Sequence, residues 1–213
     1  MGGNKFKSQL GSLGVNIDPD EAFRIIKVYR ESYPRITNLW KQGTRVLRGM
    51  LQGEVHEYGR EDVLKVLPEQ RGIRLPSGLV MRYNKLHTED GEKGPQYQYK
   101  FYHETKKIYG GKMAENVCQA IARCIIAEQM TRINKRYRVL LTVHDSIIIC
   151  VHKKQLQEAM SYIAECLRWT PEWAEGLPLD CDIGVGKSYG ECEEWIENNE
   201  TWVPKTQLGR TAV

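Results

Sequence analysis

The tripeptide His144-Asp145-Ser146 is the first candidate for chemistry, because it separates two strongly apolar, β-branched runs of the chain. Residues 139–143 and 147–151 have the composition of two strands that are buried on at least one face. A carboxylate at the tip of a tight hairpin between such strands is held rigidly and stays open, as an oxygen ligand of a divalent metal must be. Asp and Ser are also ordinary turn formers, so the tripeptide alone is equally compatible with a plain turn.

The second candidate is the helical segment 111–134, where four hydrogen-bond donors recur at intervals of four, three and four residues. Helical spacing places them on one face, while the apolar residues of the segment face a core. Solvated helix faces are usually made of Glu and Lys, whereas Lys, Asn, Gln and Arg together suit the base edges, sugars and phosphates of a nucleic acid. An ordinary solvated face remains the alternative. We call these four residues the donor stripe: Lys112, Asn116, Gln119 and Arg123.

The pattern of helical and strand-like segments around these residues predicts an α+β fold. Residues 1–52 are helical in pattern, with a helix that starts at Asp18-Pro19 and another that starts at Pro34. Residues 53–108 predict a small antiparallel β region, with a hairpin at 74–83 and a strand in which Tyr97, Tyr99 and Phe101 alternate. Within that region, residues 88–95 predict a polar surface loop.

The second half of the chain has the pattern of further helices and strands around the tripeptide. An amphipathic helix over 153–169 follows the hairpin, with a strand over 179–185 after it. The glycine-rich turn 186–190 lacks the spacing of a phosphate-binding loop and precedes a short acidic helix. Residues 201–213 predict a poorly ordered tail.

Composition limits the possible functions without choosing one. The 213 residues carry a net charge of +4, which permits a nucleic-acid partner but does not require one. Six scattered cysteines without a C-x-x-C pair indicate buried thiols in a reducing compartment. No apolar stretch resembles a signal core or a membrane span, so we expect a cytoplasmic protein, in the host cytoplasm if viral, with no membrane partner.

Five stretches, in order and with matching spacing, resemble the carboxy-terminal part of a family A DNA polymerase, the bacterial DNA polymerase I family. The resemblance is closer to the bacteriophage branch and covers nearly the whole chain. The matching stretches are P-D-E-A-F-R-I-I-K-V-Y-R-E-S-Y-P-R-I at residues 19–36, I-R-L-P-S-G-L-V-M-R-Y, E-N-V-C-Q-A-I-A-R, V-H-D-S and L-D-C-D-I-G-V-G-K-S-Y-G.

The resemblance implies a DNA-directed DNA polymerase that binds primer-template DNA and deoxynucleoside triphosphates. In the family, one Asp of motif A and one of motif C hold two Mg²⁺ ions, which activate the primer 3′-hydroxyl and stabilise the leaving pyrophosphate. Asp145 matches the motif C ligand, and His144 would lie close to the primer terminus. The helix with Asn116, Gln119 and Arg123 corresponds to one that contacts the minor groove of the primer-template.

The resemblance also implies a division of the chain. Residues 1–52 correspond to helices of the fingers subdomain, and residues 53–108 to the small β region. Residues 109–200 correspond to the palm with its motif C hairpin, and residues 201–213 form the tail.

Two departures from the family pattern bear on activity. Ser146 stands where these DNA polymerases usually carry Glu, and His-Asp-Ser is the form of single-subunit RNA polymerases, so nucleotide preference stays open. The sequence lacks the D-x-S-x-x-E-x-R pattern of motif A, and Met1-Gly2-Gly3 resemble residues that follow motif B. We therefore expect a fragment or subunit of a split polymerase, inactive alone, whose partner is an amino-terminal fragment carrying motifs A and B. A split gene, an intron-interrupted gene and a truncation all predict the same sequence.

Two other functions compete with this hypothesis. A polymerase remnant could bind primer-template DNA through the donor stripe without catalysis, and such a module would not need Asp145. A metal-dependent nuclease would need clustered carboxylates, and Asp180 and Asp182 on the predicted last strand are the available ones. Nothing in the sequence places them beside Asp145, so the nuclease ranks last.

Overall fold

A computed structural model describes residues 2–91 and 94–208, apart from the side chain of Leu208. Helices and antiparallel sheets occupy both halves of the chain, which confirms the predicted α+β class. The chain divides into two compact units, Met1–Cys118 and Gln119–Val213, and the division falls within one long helix. The helices are α1 (Gly3–Ser12), α2 (Pro19–Ser32), α3 (Pro34–Gln52), α4 (Gly110–Ile133), α5 (Leu156–Arg168) and α6 (Lys205–Leu208).

Three helices open the first unit, in agreement with the helical pattern of residues 1–52, and the last two begin at the predicted starts. The Asp18 carboxylate accepts a hydrogen bond of 2.7 Å from the backbone N–H of Glu21, and Pro19 occupies the first turn of α2. This cap satisfies one of the free N–H groups at the helix start. Helix α3 ends at Gln52, and the capping residue after it, Gly53, has a φ of 75°, a left-handed conformation that glycine adopts without steric cost.

The β region of the first unit consists of two three-stranded antiparallel sheets. The first has the order β1–β2–β3 and the second the order β4–β5–β6. The predicted hairpin at 74–83 is formed by β2 and β3, and the alternating tyrosines lie on β5. The strands are β1 (Lys65–Leu67), β2 (Gly72–Arg74), β3 (Val80–Arg82), β4 (His87–Gly91), β5 (Gly94–Phe101) and β6 (Glu104–Ile108).

The predicted polar loop at 88–95 is wrong over most of its length. Thr88 to Gly91 belong to β4, and Gly94 and Pro95 belong to β5, while residues 92–93 lie outside the described part of the chain. The polar side chains of β4 stay exposed while its backbone pairs with β5. The Gln98 side chain donates a hydrogen bond of 2.6 Å to the Glu89 carboxylate. Backbone pairing therefore outweighs a composition typical of loops.

The start of helix α4 lies directly against α3 in the first unit. A Cβ atom on Gly110 would lie 1.8 Å from the backbone oxygen of Trp40, and one on Gly43 would lie 2.9 Å from the backbone oxygen of Gly110. Two glycines therefore let the backbones touch at this crossing. This contact fixes the first turns of α4, which carry half of the donor stripe.

Helix α5 is the centre of the second unit, because it packs on two sides. On one side, Ala159 and Cys166 form a core with Ile133 of α4 and with Tyr137. On the other side, Met160 and Ala164 pack against Trp202. The second core lies under a three-stranded antiparallel sheet with the order β11–β10–β9. The strands of this unit are β7 (Val139–Val143), β8 (Ser146–Ile149), β9 (Ile183–Val185), β10 (Glu193–Asn198) and β11 (Thr201–Pro204).

Several predictions for the end of the chain are wrong. The predicted acidic helix after residue 190 is the central strand β10, in which Trp195 packs on the α5 core. Residues 201–208, predicted as a poorly ordered tail, form β11 and α6, and residues 209–213 lie outside the described part. The cysteines were predicted to be buried, yet three of them are exposed: Cys118, Cys150 and Cys192.

None of the helices within residues 2–91 and 94–208 combines the length and the apolar character that crossing a bilayer requires.

Candidate functional site

The predicted hairpin exists, and its turn is tighter than the tripeptide suggested. Strands β7 and β8 pair antiparallel, and Ser146 is the first residue of β8, opposite Val143. The turn therefore consists of His144 and Asp145 alone, and both side chains are exposed. His144 has a φ of 54°, a left-handed conformation that is uncommon for residues other than glycine. A two-residue turn with positive φ at its first position follows the twist of the two strands.

One face of the hairpin is packed and the other is open. Val139, Ile147 and Ile149 lie against the core that α4 and α5 share. On the opposite face, Leu141 is paired with Ile148, and a bulge sits between Val139 and Leu141. Leu140 and Leu141 keep 52% and 51% of their surface exposed. The predicted burial of one face is therefore only partial, since no residue of either strand is fully buried, and the second face is apolar and about half-exposed.

The Asp145 carboxylate forms no hydrogen bond or ion pair with the described residues, so its oxygens are available to a ligand. Those residues contain no group of three or more His, Cys, Asp and Glu side chains that could hold a metal ion. A carboxylate oxygen suits Mg²⁺, which prefers oxygen ligands in octahedral geometry. Asp145 can therefore contribute one ligand, but the described residues do not form a complete two-metal site.

The carboxylates of the nuclease hypothesis are placed differently. Asp180 and Asp182 precede β9 rather than lying on it, and β9 is followed by two more strands. The Arg168 guanidinium donates a hydrogen bond of 2.9 Å to Asp180, which holds the pKa of that carboxyl below its usual value. Arg168 also contacts Glu197 at 2.9 Å. Asp180 therefore belongs to a surface ion-pair network.

Helix α4 carries all four residues of the donor stripe, but their surroundings differ. In the first unit, Lys112 forms an ion pair of 2.6 Å with Glu115, and this hydrogen bond raises the pKa of the lysine. Asn116 is half-buried. Burial raises the pKa of the Tyr83 phenol and the Asn116 amide lowers it in part, although the two groups are not in hydrogen-bonding geometry. Both side chains thus have interactions within their own unit.

In the second unit, Gln119 and Arg123 are exposed, and neither forms an ion pair or hydrogen bond with the described residues. An unpaired guanidinium and amide are the donors that phosphates and base edges accept. Of the donor stripe, these two side chains are therefore the ones free to contact a nucleic acid.

Gln129 is a polar residue that holds α4 in place, and it is not among the residues predicted from the sequence. Its side chain is buried and donates hydrogen bonds to the backbone oxygens of Leu167, at 2.6 Å, and Trp169, at 3.3 Å. These bonds fix the end of α5 on α4. The sequence held a signal for this role, because Gln129 lies four residues from both Ile125 and Ile133 and so shares their buried face.

Comparisons with known proteins add a relationship to this geometry. No family model and no solved structure matches the chain. The chain is 28% identical over 203 residues to a DNA polymerase of Bacillus phage SP02. The match covers 89% of this chain and 30% of that polymerase, so the chain spans about a third of the length of its relative. The chain is therefore related, over most of its own length, to a phage DNA polymerase.

Proposed function

We propose that this chain is the carboxy-terminal part of a bacteriophage-type family A DNA polymerase, acting in template-directed nucleotidyl transfer during DNA replication. The observation that carries the proposal is the unpaired Asp145 carboxylate, which is exposed at the tip of a two-residue turn in a polymerase-related chain. Its substrates would be primer-template DNA and deoxynucleoside triphosphates. His144, beside it on the same turn, would lie close to the primer terminus.

The chemistry would require Mg²⁺, and this chain supplies one of its carboxylates. When bound between two carboxylates, two metal ions activate the attacking hydroxyl and neutralise the leaving group in phosphoryl transfer. Asp145 provides one such carboxylate, and the described residues contain no group of three or more His, Cys, Asp and Glu side chains that could complete the site. We therefore propose that activity requires an amino-terminal polymerase portion, which carries motifs A and B and contributes the second carboxylate.

The β7–β8 hairpin supports the need for that portion. It is a two-stranded sheet, and such sheets are marginally stable in water unless further strands or packing complete them. Neither of its outer edges pairs with another strand of the described residues, so both carry backbone groups that can bond to an added strand. The half-exposed Leu140 and Leu141 offer apolar surface to the same partner.

Contact with DNA would come from α4. Gln119 and Arg123 are exposed and unpaired among the described residues, which suits contacts to base edges and phosphates. Lys112 would add a phosphate contact after exchanging Glu115 for DNA, and Asn116 would contribute from its half-buried position. We expect Arg123→Gln to weaken binding to duplex DNA more than Lys112→Gln, because only Lys112 is already paired with an acidic side chain.

Primer extension tests the proposal. The chain is assayed with Mg²⁺ and four deoxynucleotides, first alone and then mixed with the amino-terminal portion of a related phage polymerase. We expect extension only in the mixture, and we expect Asp145→Ala to abolish it while Ser146→Ala retains it. Absence of extension in the mixture, together with primer-template binding that survives Asp145→Ala, would contradict catalysis and establish the alternative, a non-catalytic DNA-binding module.

A further inference from the structure

The tip of the β5–β6 hairpin displays aromatic surface that no part of the proposed polymerase site uses. Phe101 and Glu104 are the last paired residues, so Tyr102 and His103 form a two-residue turn. Tyr102 has 86% of its surface exposed, and Phe101 has 48%. Tyr102 also adopts a φ of 52°. A left-handed tyrosine that points into water has a cost in strain and hydration, and such costs concentrate at functional positions.

The two rings and the cations around them form an ordered group. The rings of Phe101 and Tyr102 meet edge to face, with centroids 4.8 Å apart. The Lys106 ammonium lies 4.9 Å from the centre of the Phe101 ring. Lys100 donates a hydrogen bond of 2.5 Å to the Thr105 hydroxyl, which orients its ammonium at the same end of the hairpin. Aromatic faces and oriented cations are thus presented together.

An open cleft of about 660 Å³ lies beside the turn. Its two lysines, Lys85 and Lys100, come from different segments of the chain. The backbone N–H of Lys100 donates a hydrogen bond of 2.7 Å to the backbone oxygen of Asn84 and so joins those segments. Lys85 itself has a φ of 51°. No acidic residue lines the described cleft, so its field favours an anion. The lining residues are Asn84, Lys85, Lys100, Phe101, Tyr102 and His103.

We propose that this tip binds single-stranded DNA, with an unpaired base stacked on Tyr102 and its neighbouring phosphates held by Lys85 and Lys100. The inference rests on the proposed function, since the polymerase substrate is the source of the unpaired strand. Stacking of bases on aromatic side chains, combined with a basic groove along the backbone, is how proteins bind single strands without reading their sequence.

The geometry favours a single strand over a duplex or an acidic protein. Bases within a duplex are covered on both faces by their neighbours, so only an unpaired base has a free face for the Tyr102 ring. An acidic peptide would satisfy the lysines but would leave the 86% exposed ring without a flat partner. The acidic residue nearest the tip, Glu104, forms an ion pair of 3.3 Å with Lys106. This pairing reduces the repulsion between the Glu104 carboxylate and a bound phosphate.

Fluorescence anisotropy with the full chain tests the inference. The probes are a labelled oligodeoxythymidylate, a blunt DNA duplex and poly-glutamate. We expect Tyr102→Ala to weaken oligodeoxythymidylate binding about tenfold, within the range for loss of one stacked base, and Tyr102→Phe to retain it. The affinity should also depend less on salt in the double variant Lys85→Gln with Lys100→Gln. In a plot of the logarithm of the binding constant against the logarithm of the salt concentration, the slope should become shallower by about 0.7 for each lysine removed.

Matched controls separate the inference from the proposed function. Tyr189→Ala removes a tyrosine that is 60% exposed in the other unit, and Lys187→Gln removes a cation near it; both should leave binding unchanged. Blunt-duplex binding should respond to Arg123→Gln and not to Tyr102→Ala. The inference would be overturned, and the proposed function left standing, if the chain bound the duplex but not the oligodeoxythymidylate. The same holds if Tyr102→Ala and Tyr189→Ala lost equal affinity for the oligodeoxythymidylate. Poly-glutamate binding as tight as that of the oligonucleotide would also overturn it, and failure to bind either DNA would overturn both proposals.

Discussion

Two hairpins of this chain end in the same kind of turn and present opposite chemistry. At the tip of β5–β6 the turn is Tyr102-His103, and at the tip of β7–β8 it is His144-Asp145. Each turn has two residues, and the first residue of each has positive φ, 52° and 54° respectively. One tip displays aromatic rings among lysines, and the other displays a carboxylate. Backbone geometry therefore does not decide what a tip binds, because the turn residues and their neighbours do.

The support beneath the two tips also differs. Strand β5 lies in the middle of a three-stranded sheet, and Ile108 at the end of β6 is buried. Strands β7 and β8 form a sheet of two, with one face packed and the other half-exposed. The first hairpin is thus complete within its unit, whereas the second has edges and an apolar face still available. A tip that works alone and a tip that needs a partner should respond differently to substitution.

Substitution of the carboxylate should give the largest effect. We expect Asp145→Asn to lower primer extension by the complemented chain about a thousandfold or more, since a metal-bound carboxylate contributes several kcal/mol of transition-state stabilisation. Binding of oligodeoxythymidylate should not change. Tyr102→Ala should show the reverse pattern, with weaker oligonucleotide binding but little change in primer extension by the complemented chain at saturating primer-template. If both variants lost both properties, the two tips would not be separate sites.

Matched isoleucine truncations compare the support of the two hairpins. Ile108→Ala should lower the free energy of unfolding by about 3 kcal/mol, because the side chain is fully buried and leaves a cavity. Ile148→Ala should cost only about 1 kcal/mol, because Ile148 pairs with Leu141 on the less covered face. Urea unfolding followed by circular dichroism measures both. Equal losses would mean that the open face of β7–β8 is packed as tightly as the core.

The tyrosine beneath β5 should make the chain sensitive to alkali. The ring of Tyr83 meets the ring of Tyr99 on β5 edge to face at 5.2 Å, and burial raises the pKa of Tyr83 to about 12. Below pH 10 the phenol is protonated whether the chain is folded or unfolded. Between pH 10 and about 12 only the unfolded chain loses the proton, so stability falls as the pH rises.

Replacement of this phenol by a phenyl ring isolates its contribution. We expect Tyr83→Phe to remove a loss on the order of 2 kcal/mol from the alkaline limb of the stability profile. At neutral pH the variant should be at least as stable, because the buried hydroxyl lacks a hydrogen-bond partner of good geometry among the described residues. Tyr102→Phe, which removes an exposed hydroxyl, is the control. Thermal unfolding across pH 8 to pH 11 would contradict the prediction if the two variants had the same profile.

The same contrast explains which parts of the fold could be predicted from sequence. Helices α2, α4 and α5 follow from caps and apolar periodicity, because these signals are local. Strands β4 and β10 were missed because Thr88 to Gly91 and Glu193-Glu194 are polar. Both strands are held by backbone pairing with the strand next to them in the chain, Glu89 with Gln96 and Glu193 with Val185. Local composition cannot reveal a partner strand, and backbone pairing tolerates exposed polar side chains on either side.

The candidate site shows a similar limit. Asp145 could be placed in a turn because the flanking runs are so apolar, and its availability follows from that position. The same alternation placed Tyr97, Tyr99 and Phe101 on one strand face but gave no hint that Tyr102 would project from the turn. That projection depends on the register of β5 with β6, in which Phe101 faces Glu104. Registers are set by tertiary pairing, so the exposed ring could be found only in the structure.

The smallest effects should come from the turn backbone that the two tips share. Asparagine adopts positive φ more readily than tyrosine or histidine, so Tyr102→Asn and His144→Asn should each raise the free energy of unfolding by about 0.5 kcal/mol. Tyr189→Asn, at an exposed position without positive φ, should give no gain. Urea unfolding measures all three variants. A gain in stability at both tips would mean that the two turns have equivalent backbones. The side chains alone would then distinguish the aromatic tip from the acidic one. A loss of stability at either tip would mean that the native side chain itself stabilises its turn. The two turns would then not be equivalent.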